Sequence, residues 1–361
     1  MQEAWKGAQR ASFDQIPGRS TPSSPSRSRP SSRGSRSLLR AIAISLPVLL
    51  LLPVLAVPAA AHGRVADRRV APKLAPGALV RDHGLTVTVP QRGGFVWGEL
   101  KLADGTWQEI AVETDLDGTV YVRGRGDERA ATIAERRAVA ARGTAGAAPG
   151  AKAEIAGSGG SGECRDDFRN LYWWRLPRLD WKFNPARTPH YLLDADGTTR
   201  RVQAAIQRAQ DNITGSTNRC ARGDRVGATG ALMGITRRVP NVSGTARCTG
   251  GDGQSVIGFG DLPSYSIAMT CVYGVRNGVA RESDIRMNHV DTRWATDKAT
   301  CSGRDLLIEG AMTHEFGHAY GLAHASIYRN PSLTMQPLVR ACSMGHSTLG
   351  LGDMLGLEKK Y

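Results

Sequence analysis

His314-Glu315-Phe316-Gly317-His318-Ala319-Tyr320-Gly321-Leu322-Ala323-His324 decides how the rest of this chain is read. The spacing is H-E-x-x-H-x-x-G-x-x-H. On a helix, residues four apart share a face, so His314 and His318 can aim at one point with Glu315 beside them. Gly321 follows where such a helix could stop and reverse, because glycine tolerates the positive φ of that turn. The reversal would bring His324 back as a third nitrogen donor. Three protein ligands leave a fourth position for water, which separates catalytic from structural zinc sites. The bland alternative is a buried helix that merely carries histidines. Three of the eight histidines fall within these eleven residues, with apolar residues in the gaps, which argues against it.

The extended motif resembles the metzincin clan of zinc metalloproteases, and most closely its matrixin-like peptidases secreted by bacteria. The resemblance covers roughly residues 164 to 361. It implies an α+β catalytic domain: a twisted mixed sheet, a long backing helix, a zinc-binding helix and a small C-terminal subdomain. It also implies His314, His318 and His324 as ligands of one catalytic Zn²⁺, Glu315 as general base, and a methionine turn beneath the metal. In Ser332-Leu333-Thr334-Met335-Gln336-Pro337, Met335 is the candidate for that turn, and the flanking proline suits it. Met344 is the rival, and an ordinary core methionine is the plain alternative. Leu179 to Phe183 resembles the first strand. Arg201 to Ile213, with Val202, Ala205, Ile206, Ala209 and Ile213 on one stripe, resembles the first long helix. Glu282 to Asn288 resembles the edge strand, with substrate laid along Ile285 and Met287. Leu349 to Tyr361 resembles the final helix, with Asp353 near its start.

Two departures stand out. Gln336 follows the turn methionine where matrixins often carry Tyr. Matrixins also hold a structural zinc and calcium in a loop whose counterpart here is Gly250 to Asp261, and that stretch has no histidine. A second zinc is therefore not expected. Asp252 or Asp261 could serve a Ca²⁺ ion, although a plain glycine-rich turn explains the composition equally well.

All six cysteines lie at or after Cys164, which sets a domain boundary before it and fits three disulfides formed in an oxidising compartment. Six cysteines allow fifteen pairings. The resemblance suggests Cys301 with Cys342 and Cys248 with Cys271, leaving Cys164 with Cys220.

Upstream, residues 1–61 read as a leader. Residues 1–37 are rich in Ser, Pro and Arg, a composition that favours disorder. Basic residues then precede an uncharged apolar run from Ala41, and Ala59-Ala60-Ala61 offers a cleavage site. The favoured reading is a secretory signal. The alternative is an uncleaved membrane anchor over residues 41–61. This leader carries eight Lys/Arg against two Asp/Glu, or +6 of the net +14, and leaves +8 spread over the rest. No clustered basic patch with interleaved aromatics is present, so a nucleic-acid partner is not expected.

Residues 62–123 read as a small antiparallel β module, a pro-region or an accessory domain. Leu85 to Val89 alternates like a strand. Phe95 to Leu102 and Trp107 to Val112 flank Asp104-Gly105 as a hairpin. Residues 124–163, dominated by Ala, Gly, Arg and Ser, read as a flexible linker. No cysteine precedes Cys164, so latency through a cysteine at the metal is excluded for any pro-region.

Taken together, these features lead us to expect a secreted, monomeric zinc endopeptidase acting on protein or peptide. Two alternatives stay open: an inactive metal-binding recognition protein, and a membrane-anchored surface protein.

Overall fold

The computed structural model describes residues 69–71, 74–126, 164–326 and 329–361. The leader, with its apolar 41–61 stretch, and most of the expected linker lie outside them. The fold is α+β with one large mixed sheet. Its strands in chain order are β1 (Arg69–Ala71), β4 (Gly94–Leu102), β5 (Trp107–Thr114), β6 (Val120–Gly126), β7 (Arg178–Asn184), β8 (Thr229–Ile235), β11 (Ser255–Gly260), β12 (Ser266–Val275) and β13 (Val279–Asn288). The spatial order is β1-β6-β5-β4-β12-β13-β11-β7-β8. The strands from β13 to β8 run parallel, and those from β12 to β1 run antiparallel to their neighbours. A second sheet stacks β2 (Leu79–Asp82), β3 (Leu85–Thr88), β10 (Arg247–Cys248) and β9 (Val242–Ser243).

The N-terminal strands are thus built into the same sheet as the rest. β4 pairs with β12, and β3 pairs with β10. The linker begins later than its composition suggests, because Gly124 to Gly126 end β6. The module also has more strands than alternation alone indicates. β2 and β3 join through His83 and Gly84, both at positive φ, a two-residue hairpin turn that no Asn-Gly or Asp-Gly pair announces.

α1 (Arg200–Thr214) lies behind the sheet. Its first amides are satisfied by Asp194, whose carboxylate accepts from the Arg200 and Arg201 backbone at 2.8 and 3.4 Å. The expected stripe is real: Val202, Ala205, Ile206, Ala209 and Ile213 are all fully buried. α2 (Ile308–Ala319) crosses beneath, tied to α1 by the Arg208–Glu309 ion pair at 2.6 Å and by Asn212 donating to Thr313 at 3.2 Å. α2 is buried on nearly every side, so it shows no polar stripe. α3 (Leu351–Lys360) closes the chain.

The cysteines pair as Cys164–Cys220, Cys248–Cys271 and Cys301–Cys342, the set the resemblance suggests. Three disulfides fit a protein that folds in an oxidising compartment. Among the described residues no helix is long and apolar enough to cross a membrane.

Two expectations need correction. The Glu282–Asn288 segment is not an edge. It lies within β13, which pairs with β12 on one side and β11 on the other, so Ile285 and Met287 have no open backbone to offer a substrate. Both side chains are fully buried in the core. The strand at the limit of that half of the sheet is β12, and β4 covers its outer side. The Gly250–Asp261 stretch is only partly a loop, since Ser255 to Gly260 form β11.

Candidate metal centre

The site is assembled by the end of α2. Helical spacing puts the His314 and His318 Nε2 atoms 3.0 Å apart. The helix then ends in the motif that Gly321 permits. The Leu322 amide reaches back to the Gly317 carbonyl and the Gly321 amide to the His318 carbonyl, both at 2.8 Å, with Gly321 at φ +89°. A Cβ at Gly321 would sit 2.5 Å from the Trp174 carbonyl oxygen. Gly321→Ala is therefore expected to cost about 2 kcal/mol or more, from the left-handed strain plus that clash. The urea midpoint should fall by the corresponding amount, and an unchanged midpoint would show that the turn does not depend on glycine.

The reversal delivers His324, whose Nε2 lies 3.1 Å from that of His314. Asn170 secures the returning strand, donating to the His324 carbonyl at 2.8 Å. Two second contacts fix the ring orientations. His314 Nδ1 meets the Thr334 carbonyl at 2.8 Å, and His318 Nδ1 meets the Leu322 carbonyl at 2.9 Å. A carbonyl can only accept, so each Nδ1 carries a proton, and in the neutral imidazole each Nε2 presents a lone pair inward. Lone pairs facing one another at this distance repel unless a cation lies between them. Tetrahedral ligands about 2.1 Å from a zinc ion would stand about 3.4 Å apart, close to the observed spacing. The donor set therefore fits a metal ion.

One further candidate ligand is present that the sequence did not single out. Glu99, on β4, places its carboxylate oxygens 3.0 Å from His318 Nε2 and 3.2 Å from His324 Nε2. The ligand atoms of Glu99, His314, His318 and His324 all lie within 4.8 Å of one another. This is the one such group among the described residues. Burial alone would raise the Glu99 carboxyl, but the facing imidazoles hold it well below the usual carboxylate range. Burial drives His314 well below its ordinary value and takes His324 down to about 4, which keeps both neutral, as metal ligation requires.

Glu315 points into the same space. Its Oε2 accepts from the Thr270 hydroxyl at 2.6 Å, while Oε1 is buried without a hydrogen-bond partner. Burial raises its carboxyl above the usual range, against the pull of Lys101. Lys101 also lies on β4, fully buried with an unpartnered ammonium. Burial lowers that ammonium to about 8, and the charges of Glu315 and Glu99 oppose the shift.

Met335 lies under the helix, its sulfur in the space above Gly317, where a Cβ would come within 2.3 Å of it. Met344 is 46% exposed and takes no such place. Asp353 holds this floor. Its carboxylate accepts from the amides of Thr334 at 2.6 Å, Gly350 at 3.1 Å and Met335 at 3.4 Å. Burial pushes that carboxyl up to about 6 in spite of the three donors. Asp353→Ala should strand these buried amides and cost about 3 kcal/mol, while Asp353→Asn, which keeps one acceptor, should cost less than half of that. Chemical denaturation of both variants checks the ranking, and equal losses would contradict it.

Gln336 folds over its own turn, bonding Leu338 in both directions and reaching His346 Nε2 at 2.8 Å. Asp252 pairs with Arg238, and Asp261 pairs with Arg187 and His289. Neither joins a metal-ligating group among the described residues. Comparison with protein-family models, curated proteins and solved structures found no match.

Proposed function

We propose that this chain is a secreted zinc endopeptidase of the metzincin type, with His314, His318 and His324 as the metal ligands and Glu315 as general base. The observation that carries the reading is the convergence of three histidine Nε2 atoms, two of them with Nδ1 bonded to a carbonyl, beside a buried carboxylate with one free oxygen. A bound zinc ion would supply Lewis acidity toward a scissile carbonyl and bring the pKa of a water close to neutrality. Glu315 Oε1 takes the proton from the attacking water and returns it to the leaving nitrogen, while Thr270 holds Oε2 and so fixes the carboxylate plane. Met335 gives the site an apolar floor, and Asp353 keeps that floor in place.

Glu99 favours a second reading. Four protein ligands make a closed set, as in structural zinc sites, and the chain would then be a metal-braced recognition protein or, if residues 41–61 stay attached, a surface protein.

The test is casein and peptide-library cleavage by the metal-loaded full chain, intact and after limited tryptic nicking quenched with a trypsin inhibitor. Glu315→Gln treated identically serves as control, and zinc content is measured throughout. Cleavage by the parent, blocked by a chelator and missing in the control, is expected. If zinc is bound but no peptide is cleaved in either state, the peptidase reading fails.

A further inference from the structure

Two carboxylates of β13, Glu282 and Asp284, are only 3% and 0% exposed. Strand alternation puts them on one face, with Tyr273 of β12 opposite Glu282 and Cys271 opposite Asp284. Cys271 and Tyr273 belong to the core beneath the second sheet, whereas Thr270 reaches Glu315 from the other face. The pair is therefore separate from the metal centre. The groups around it bring no compensating cation. The Tyr273 hydroxyl donates to the Asn241 carbonyl at 2.7 Å, and Cys271 is bonded to Cys248. Asp252, in the turn above, is paired with Arg238. Ser255 of β11 is neutral and accepts from the Ser283 amide at 3.1 Å. Arg281 is exposed on the opposite face of β13. Arg92 and Arg281 line the groove beside Glu282, and among the described residues neither forms an ion pair with it. Two like charges enclosed in this way cannot both be sustained.

The hydrogen bonds show which of the two is the anion. Glu282 Oε1 accepts from the Asn241 side-chain amide at 3.2 Å and the Asp252 backbone amide at 3.1 Å, and Oε2 accepts from the Gly253 amide at 2.6 Å. Asp284 Oδ1 accepts from the Val256 amide at 3.1 Å, while Oδ2 is buried with no donor. The Asp284 side chain is in hydrogen-bond contact with Glu282. Two carboxyl groups can share a hydrogen bond only if one of them brings a proton. We infer that Glu282 and Asp284 form a proton-binding site: Asp284 holds one proton and donates it to Glu282, and this bond keeps the turn 249–254 seated on the sheet. The N–H donors that converge on Glu282 would repel a metal cation at the same oxygens, so a proton is the ion that neutralises the pair.

The turn lies directly on the pair. A Cβ at Gly251 would come 2.8 Å from Glu282 Oε2, and Gly250 and Gly253 adopt φ +114° and +81° to bring the backbone there. Burial, then the bond to Glu282 and its charge, raise the Asp284 carboxyl well above its ordinary value. Such a group contributes its full stability below the unfolded value and loses it as pH rises through the folded one. Between those limits one proton shifts the opening equilibrium by about tenfold per pH unit. Deprotonation leaves two facing anions under the turn. The turn is the part that yields, because β13 is held on both sides by β11 and β12. Gly253 lines a groove on each side of the turn, so its release changes that face of the molecule in alkali.

The test is amide hydrogen exchange of the full chain, read by mass spectrometry over residues 249–256 and corrected for the intrinsic effect of pH. Wild type is compared with Asp284→Asn, which keeps an N–H donor toward Glu282 but has no proton to lose. Between about pH 5 and about pH 10 the wild-type turn is expected to lose protection by about tenfold or more, while Asp284→Asn stays protected throughout. Glu282→Gln supplies the same bond from the other partner, and it makes the same comparison if Asp284→Asn does not fold. Wild-type protection that does not change with pH would overturn the inference. So would an alkaline loss of equal size in the variants. Recovery of protection in alkaline wild type on adding calcium, but not in Asp284→Asn, would make the pair a cation site and overturn it as well.

Discussion

Glu315→Gln is expected to leave the metal content unchanged and to lower peptide cleavage by about a thousandfold, which corresponds to about 4 kcal/mol of transition-state stabilisation. Glutamine keeps the shape of the side chain and an oxygen for the Thr270 hydroxyl, now at 2.6 Å from Glu315 Oε2. It cannot accept the proton of the attacking water at the other position. Glu315 is not among the four groups whose ligand atoms converge, so metal uptake should not depend on it. The comparison is made on the metal-loaded full chain, parent and variant treated identically, intact and after tryptic nicking. If Glu315→Gln cleaves within about tenfold of its parent there, the base lies elsewhere.

The parts of this site that were legible in the sequence are those fixed by local geometry. Helical spacing alone aligns His314 with His318, and one glycine with positive φ returns His324. The α1 stripe was readable for the same reason, since a helix packed on one side leaves a periodic trace. The long-range parts were not legible in this way. Phe95 to Leu102 read as a simple hairpin strand, yet β4 is buried on both faces: Val96, Leu100 and Leu102 pack toward the second sheet, while Phe95 and Trp97 share the other core with the metal helix. Glu99 and Lys101 stand on that second, aromatic face. A pair of opposite charges in line with two large rings was the available signal, because a solvated face has no need of Phe95 and Trp97.

The edge strand was misassigned because strand order does not follow chain order. β12 and β13 form a hairpin, and either could have been outermost. β13 is the one that also pairs with β11, while β12 takes β4 on its other side, so neither is an edge of the sheet. Asp353 was noticed only as a residue near a helix start. Its bonds to Thr334 and Met335 span 19 and 18 positions and depend on how α3 docks. No local pattern encodes such a contact.

His318→Ala should abolish stoichiometric metal binding and destabilise the metal-free protein as well, for two separate reasons. Loss of one of three histidine ligands leaves too few neutral donors to hold an ion against ordinary chelators. Without metal, the Glu99 carboxylate lies 3.0 Å from His318 Nε2, and although burial lowers that imidazole, the Glu99 charge raises it above its ordinary value, so a protonated His318 pairs with the carboxylate. Removing the imidazole leaves a buried charge uncompensated, which costs about 3 kcal/mol or more. The two causes separate in a double-mutant cycle on chelator-treated protein. Adding Glu99→Gln to His318→Ala should restore stability, because the stranded charge is gone, although metal binding stays lost. Denaturation midpoints and metal content of the four proteins decide the matter. If Glu99→Gln lowers stability equally with and without His318, the two residues are not coupled, and the convergence of Glu99 on the histidines does not govern the energetics of the site.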